Sequence, residues 1–407
     1  MKASSTLVTS SSAARTCGKA ARMRPLRAKA SEGGSSSPRR PFLVGTGTVA
    51  AGLLASTAGS PGRVTAASVA EGSGAIARAD VCPGLNISRV VKGCWQLSGG
   101  HRGDKGSDRT QGKSAVEDFD AFVSAGVTTF DTADIYGPSE ELIGKYLDQR
   151  PEGAEGLQVF TKFCCFGSDM GAIAEKMVDK RIKASRMRLR QQELDLVQLY
   201  WHDYNKKNYV DAMRCLYANE NVKNVGVTNF DVPRIAEMVD AGVPPVLNQV
   251  QYSILDRRPE NAMTDFCAKN NIKLLPYGVV AGGFLSDKYL GLAASEVKFD
   301  TYSKQKYASV ISQLGGWNWF QELLRTLHDI AESKNTTLAN VASKWVLDKP
   351  QVAGILIGAR NASHVSDMAH VNEITLGASD LEAINAVLDK GKQAKGDCYD
   401  WERGGTF

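Results

Sequence analysis

From residue 81 onward, short apolar and β-branched runs alternate with longer stretches whose apolar positions recur at helical spacing. The short runs, Val90–Leu97, Val127–Asp131, Leu157–Phe163, Leu194–Trp201, Val222–Val227, Val246–Gln251, Ile272–Tyr277 and Val352–Gly358, fit strands. The longer ones fall near 113–125, 139–149, 174–190, 206–220, 232–241, 259–270, 318–333 and 338–348, with a further helix near 379–390. Helix starts carry their own marks. Asn335-Thr336-Thr337 and Ala378-Ser379-Asp380 offer capping side chains, and Asp231-Val232-Pro233 sets an acid just ahead of a first-turn proline. Gly126 and Gly242 close helices before the next strand.

Repeated strand–helix units predict parallel strands covered by helices. Eight units predict closure into a single (β/α)8 TIM barrel of the α/β class, spanning residues 81–392 and followed by a tail over 393–407. No Gly-x-Gly-x-x-Gly follows the first strand, which argues against an open dinucleotide-binding sheet.

The first 80 residues break this pattern. Residues 1–37 are rich in Ser, Ala and Arg and hold one acid, the composition of an organelle transit peptide. Arg39-Arg40 then precedes a mostly apolar run from Pro41 to Ala58, which resembles a twin-arginine signal. Residues 59–80 read as a Gly/Ser/Ala linker. The whole 1–80 segment is expected to be a disordered address, directing the chain to a chloroplast: the stroma, or the thylakoid lumen if Arg39-Arg40 is used. With three Gly and three Thr, the 41–58 run falls short of a membrane span, and none is expected in the mature protein.

Charge follows the same division. The chain carries +5, but residues 1–41 hold nine Lys/Arg against one acid, leaving the remainder at −3. The body therefore lacks the basic excess of a nucleic-acid binder. The eight cysteines show neither metal-ligand spacing nor Cys-x-x-Cys, and fit free thiols in a reducing compartment. Redox sensing by Cys164, Cys165 or Cys398 is the sharper alternative.

Candidate chemistry lies at the strand ends, where barrels of this kind place their active sites. The second strand runs into Asp131-Thr132-Ala133-Asp134-Ile135-Tyr136, the third ends at Lys162 and the fourth at His202. Asp131, Tyr136, Lys162 and His202 should therefore meet at one mouth. A phenol holds its proton at neutral pH, and an adjacent buried ammonium should lower its pKa. A carboxylate would keep that ammonium charged and aimed. The set makes a general acid, with His202 placed to orient a carbonyl oxygen.

These residues resemble the aldo-keto reductase superfamily. Gly126-Val127-Thr128-Thr129-Phe130-Asp131-Thr132-Ala133-Asp134-Ile135-Tyr136-Gly137-Pro138-Ser139-Glu140 is similar to its first signature. Gly226-Val227-Thr228-Asn229-Phe230, Asn248-Gln249-Val250-Gln251-Tyr252, Pro276-Tyr277-Gly278, Ile357-Gly358-Ala359-Arg360-Asn361 and Gly93-Cys94-Trp95-Gln96 match later motifs in order, covering roughly residues 84–390. The resemblance implies Tyr136 as proton donor, Lys162 and Asp131 as its tuning pair and His202 as the carbonyl-orienting group. It also implies NADP(H) as cofactor. Thr228, Asn229 and Gln249 would hold the carboxamide, and Tyr277 would stack on the nicotinamide. Gly278, Val279 and the loop to Lys288 would cover the pyrophosphate, Gly358, Arg360 and His364 would meet the adenosine end, and Cys94 and Trp95 would make the first-strand contact to the cofactor. His364 stands where many members carry Arg or Gln, and Met368 where Asn is common.

The implied activity is NADPH-dependent reduction of a small-molecule aldehyde or ketone. The alternative is a cofactor-sensing regulatory subunit with little turnover, which would retain the same tetrad. The tail residues Tyr399-Asp400-Trp401 are candidates to close over the mouth. No feature of the sequence selects the carbonyl substrate or the oligomeric state.

Overall fold

A computed structural model of the chain describes residues 76–99, 112–150, 156–359, 362 and 365–405. Arg360, His364 and residues 1–75 of the segment read as a targeting address lie outside the described residues.

The first two strands, β1 (Arg78–Cys82) and β2 (Leu85–Ser88), form an antiparallel hairpin. Eight further strands close a barrel: β3 (Val90–Gly93), β4 (Thr129–Asp131), β5 (Gln158–Cys165), β6 (Leu196–Trp201), β7 (Val225–Thr228), β8 (Leu247–Gln251), β9 (Lys273–Tyr277) and β10 (Ile355–Gly358). They lie in sequence order, every neighbouring pair is parallel, and β10 pairs with β3 to complete the ring. This is the expected (β/α)8 fold.

Helices α1 (Gly112–Ser124), α2 (Ser139–Asp148), α3 (Glu175–Leu189), α4 (Tyr209–Ala218), α5 (Val232–Asp240) and α6 (Met263–Lys269) follow successive strands. Then come α7 (Tyr302–Leu314), α8 (Gly316–Ser333), α9 (Leu338–Leu347), α10 (Val365–Ala369) and α11 (Ala378–Leu388). The caps act where the sequence offered them: Asp231 accepts the Arg234 N–H and Thr337 that of Asn340, each satisfying a first-turn donor. At α11 the partner is Asp380, which accepts the N–H of Gly377.

Four expectations need correction. The first strand does not reach Leu97: it ends at Gly93, and Trp95–Leu97 turns into a single 3₁₀ turn. The run at Val222 forms only an isolated bridge, and the strand proper starts at Val225. Residues 78–80, read as linker, pair in the hairpin, and Ile76 is already buried. Helix α7 was missed, because Tyr302–Leu314 is largely polar and only Tyr307, Val310, Ile311 and Leu314 face inward.

Inside the barrel, Val91, Phe160, Leu196, Leu247, Leu275 and Ala353 form an apolar layer with Val81, Leu85 and Ile87 of the hairpin. The hairpin thereby seals the end opposite the strand C-termini. A larger cluster fills the space between the strands and the helices. Among the described residues no helix is long and apolar enough to cross a membrane.

Candidate active site

Side chains alternate along a strand, so residues two apart share a face. One step beyond the apolar layer, the inward positions turn polar: Lys162 follows Phe160, Gln198 follows Leu196 and Gln249 follows Leu247. Asp131 joins them from β4, where its Cα registers with those of Gly93 and Phe160.

The centre is a buried ion pair. Lys162 Nζ lies 2.5 Å from Asp131 Oδ2, with each side chain under 5 % exposed, and donates a second bond to the Thr132 carbonyl at 2.9 Å. Gln198 and Gln249 each donate to Asp131 Oδ1 at 2.7 Å, and Gln249 also reaches Gln198 Oε1 at 3.0 Å. Both oxygens of the carboxylate are thus satisfied, which offsets the cost of burying it. Burial alone would pull the Lys162 ammonium down, but Asp131 and then Tyr136 outweigh it and hold the group charged.

Tyr136 stands above this pair, half-buried, with its ring centroid 5.0 Å from Lys162 Nζ and the Trp95 ring edge-on at 5.0 Å. Its pKa runs against expectation. Burial pushes the phenol up to about 12, and Lys162 opposes this without reversing it. The expected net lowering fails mainly because burial disfavours the phenolate, and Asp131, which neutralises Lys162, repels it further. The phenol therefore keeps its proton through the neutral range.

His202 is exposed at the same mouth, its Nδ1 3.3 Å from the Tyr200 hydroxyl and its ring 5.5 Å from Phe166. Asp131, Tyr136, Lys162 and His202 all line one cavity of about 1310 Å³.

The cavity runs on along the strand ends as a groove. Thr228, Asn229, Gln249 and Tyr277 line it beside the ion pair, and Gly278, Val279, Ser286 and Lys288 continue it. Gly358 and Ala359 line it as well. Thr228 donates to Gln198 Oε1 at 3.3 Å, and the Tyr277 hydroxyl to Asn229 Oδ1 at 3.0 Å. Asn229 adopts a left-handed conformation (φ 60°), uncommon for any residue but glycine and often a mark of a functional position. Gly278 (φ 72°) is required twice over, since a Cβ there would sit 1.9 Å from the Tyr307 hydroxyl.

The groove fits an extended ligand with polar groups. It exceeds the usual pocket for one drug-sized molecule, and Gln96 Oε1 is buried at its edge with no partner among the described residues. Cys94 lines it too, with its side chain fully buried and burial raising the thiol pKa to about 12.

Several contributors were not foreseen. Gln198 carries a readable signal, as a polar residue at an inward position of an apolar strand. Arg181 does not, since it arrives from α3: it pairs with Asp134 and donates to the Cys164 carbonyl at 2.7 Å, bracing the segment before Tyr136. The C-terminal tail, whose Tyr399 and Trp401 were candidates to close over the mouth, lines one side of it through anchors that were not foreseen. Arg403 donates to the Trp201 and Asn229 carbonyls, both at 3.0 Å. Glu402 meets Arg258 at 3.0 Å and Lys306 at 2.9 Å, so that Tyr399, Trp401 and Glu402 line the cavity.

The redox alternative gains no support here. Cys164 and Cys165 point to opposite faces of β5, and burial raises both thiols, away from the reactive thiolate.

The Aldo/keto reductase family model matches residues 89–389. The aldo-keto reductase YhdN of Bacillus subtilis is 25 % identical over 75 % of this chain and 91 % of its own length. A chloroplastic pyridoxal reductase of Arabidopsis thaliana is 26 % identical over 70 % of this chain and 78 % of its own. An NADH-specific methylglyoxal reductase of Escherichia coli is 23 % identical over 74 % and 93 %. Among solved structures, a glycerol dehydrogenase from Gluconobacter oxydans superposes with a TM-score of 0.64 at 23 % identity, covering 79 % of this chain and 97 % of that one, a likeness of fold.

Proposed function

Because the chain belongs to the aldo/keto reductase family, whose members are oxidoreductases using nicotinamide cofactors, we propose that it is an NADP(H)-dependent carbonyl reductase acting on a small aldehyde or ketone. The observation that carries this is the half-buried Tyr136 phenol, held protonated over the Asp131–Lys162 pair at the mouth of the groove.

Bound reduced nicotinamide would supply the hydride. Thr228, Asn229 and Gln249 would hold its carboxamide, and the Tyr277 ring would lie against it. Tyr136 Oη would donate the proton to the carbonyl oxygen, and Lys162 would stabilise the phenolate left behind. Asp131, fixed by Gln198 and Gln249, keeps Lys162 charged throughout. His202, with Nδ1 facing Tyr200, would orient the carbonyl oxygen. Preference for NADP(H) rests on Arg360, which follows Gly358-Ala359 in sequence and as a cation suits a 2′-phosphate.

The test is oxidation of NADPH, and separately of NADH, with 4-nitrobenzaldehyde by the purified chain and by Tyr136→Phe. Turnover with NADPH that disappears in the variant supports the proposal; unchanged turnover in the variant removes Tyr136 from its role. Tight cofactor binding with no turnover across a carbonyl panel would mark a cofactor-sensing subunit instead. Plastid delivery by residues 1–80 belongs to the same proposal and rests on their basic, Ser/Ala-rich composition. A fluorescent fusion of that segment that stays in the cytosol would overturn it.

A further inference from the structure

Lys92 sits where an apolar residue would serve the barrel better. Val91 faces the inner layer, so the next residue points outward, beneath α1. Lys92 is 2 % exposed, with its Nζ 4.1 Å from the centroid of the Phe122 ring and 5.8 Å from that of Phe119. Among the described residues no carboxylate lies within ion-pair distance of it. Burying an ammonium without a carboxylate is costly, and burial indeed pulls this one below its ordinary pKa.

Its hydrogen bond shows what the cost could serve. Nζ donates to the Ala359 carbonyl at 3.2 Å, reaching past its register partner Ile357 to the end of β10. Ala359 lines the groove and directly precedes Arg360. Gln96 braces the same stretch: a Cβ on Gly358 would fall 2.7 Å from Gln96 Nε2. Fixing the Ala359 carbonyl fixes the plane of its peptide at the groove floor.

We propose that Lys92 is a positioning residue for the phosphate-bearing adenosine end of the dinucleotide groove. It holds the Gly358–Ala359 stretch, from which the sequence runs directly into Arg360, the cation assigned above to a 2′-phosphate. The proposal rests on the cofactor assignment made above. Lys92 touches neither substrate nor the transferring atoms, so its loss separates cofactor affinity from chemistry.

The test measures NADPH and NADH binding to the full chain by quenching of tryptophan fluorescence, with Trp95 in the groove as reporter. Wild-type protein that binds neither dinucleotide overturns the cofactor assignment and this proposal with it. Given binding, Lys92→Met, which keeps most of the volume, is expected to weaken NADPH about tenfold, the worth of one charged hydrogen bond from a displaced Arg360 to the 2′-phosphate. NADH should weaken by much less, and kcat at saturating NADPH should stay within about twofold, since no contact to the reacting atoms is lost. The melting temperature should hold or rise, because a buried charge has been replaced by an apolar chain. Lys92→Arg, which keeps donor and charge, is expected to restore most of the NADPH affinity. Unchanged NADPH affinity in Lys92→Met overturns the proposal alone. So does an equal loss for both dinucleotides accompanied by a fall in kcat and melting temperature, the mark of a merely structural lysine. If Lys92→Met does not fold, Lys92→Gln is read by the same split.

Discussion

The two ends of the barrel are built from the same strands and do opposite things. At the N-terminal end, Phe160, Leu196, Leu247 and Leu275 pack with the hairpin residues Val81, Leu85 and Ile87 into a dry layer. Two residues further along the same strands stand Lys162, Gln198, Gln249 and Tyr277, lining the cavity or bonded to the carboxylate that does. The layer below excludes water, and that exclusion strengthens the electrostatics of the layer above. One step along a strand thus separates stability from chemistry, as expected for a barrel whose C-terminal face carries the site.

The sharpest way to break this contrast is to cut each layer once. Tyr136→Phe should lower carbonyl reduction by about 10²–10⁴-fold, the usual worth of a positioned general acid, while the denaturant midpoint hardly moves. Steady-state NADPH oxidation and urea unfolding on the same preparation check both halves. Phe160→Ala should do the reverse, destabilising by about 3–5 kcal/mol through the cavity it leaves, with kcat per folded molecule retained. If Phe160→Ala abolishes turnover in protein that is still folded, the two layers are not separable.

How far this division could be read in advance follows from how local each signal is. Alternation and helical spacing are local, so eight strands and the helices around them stood out, and so did Asp131, Tyr136, Lys162 and His202 at three strand ends. The hairpin strand Arg78–Cys82 did not, because in that short segment only Val81 is buried and composition resembled a linker. Helix α7 was hidden by its polar face. Arg181, Glu402 and Arg403 were missed for a different reason: each acts on a partner brought close only by closure of the barrel. The sign of the Tyr136 shift was also out of reach. It depends on how completely the phenol is buried and on Asp131 cancelling Lys162, a balance no spacing reveals.

Gln198 sharpens the contrast from within one strand. It is fully buried, donates to Asp131 and accepts from Thr228 and Gln249. Gln198→Leu would extend the apolar layer upward by one step and leave those two donors without their acceptor, at about 1–3 kcal/mol. Because Asp131 keeps Lys162 and Gln249, reduction should fall far less than in Tyr136→Phe. A loss of turnover as large as that of Tyr136→Phe would show that Gln198 belongs to the proton-donating set itself.

The smallest effect is expected at the tail, which touches only the upper end. Burial would raise the Glu402 carboxyl, but Lys306 and Arg258 more than offset it and hold the group down at about 2. A folded-state pKa below the unfolded value stabilises the protein above the unfolded pKa, near 4.5, and the benefit fades as pH falls from there towards 2. Glu402→Gln should therefore lower the melting temperature by about 2 °C or less between pH 5 and 8, and the gap should close as pH drops below about 4.5. Because the tail lines the cavity, KM for bulky aldehydes should change more than kcat. A gap that widens in acid would mean that Glu402 is not held by its cations, and that the tail is anchored by Arg403 on the Trp201 and Asn229 carbonyls alone.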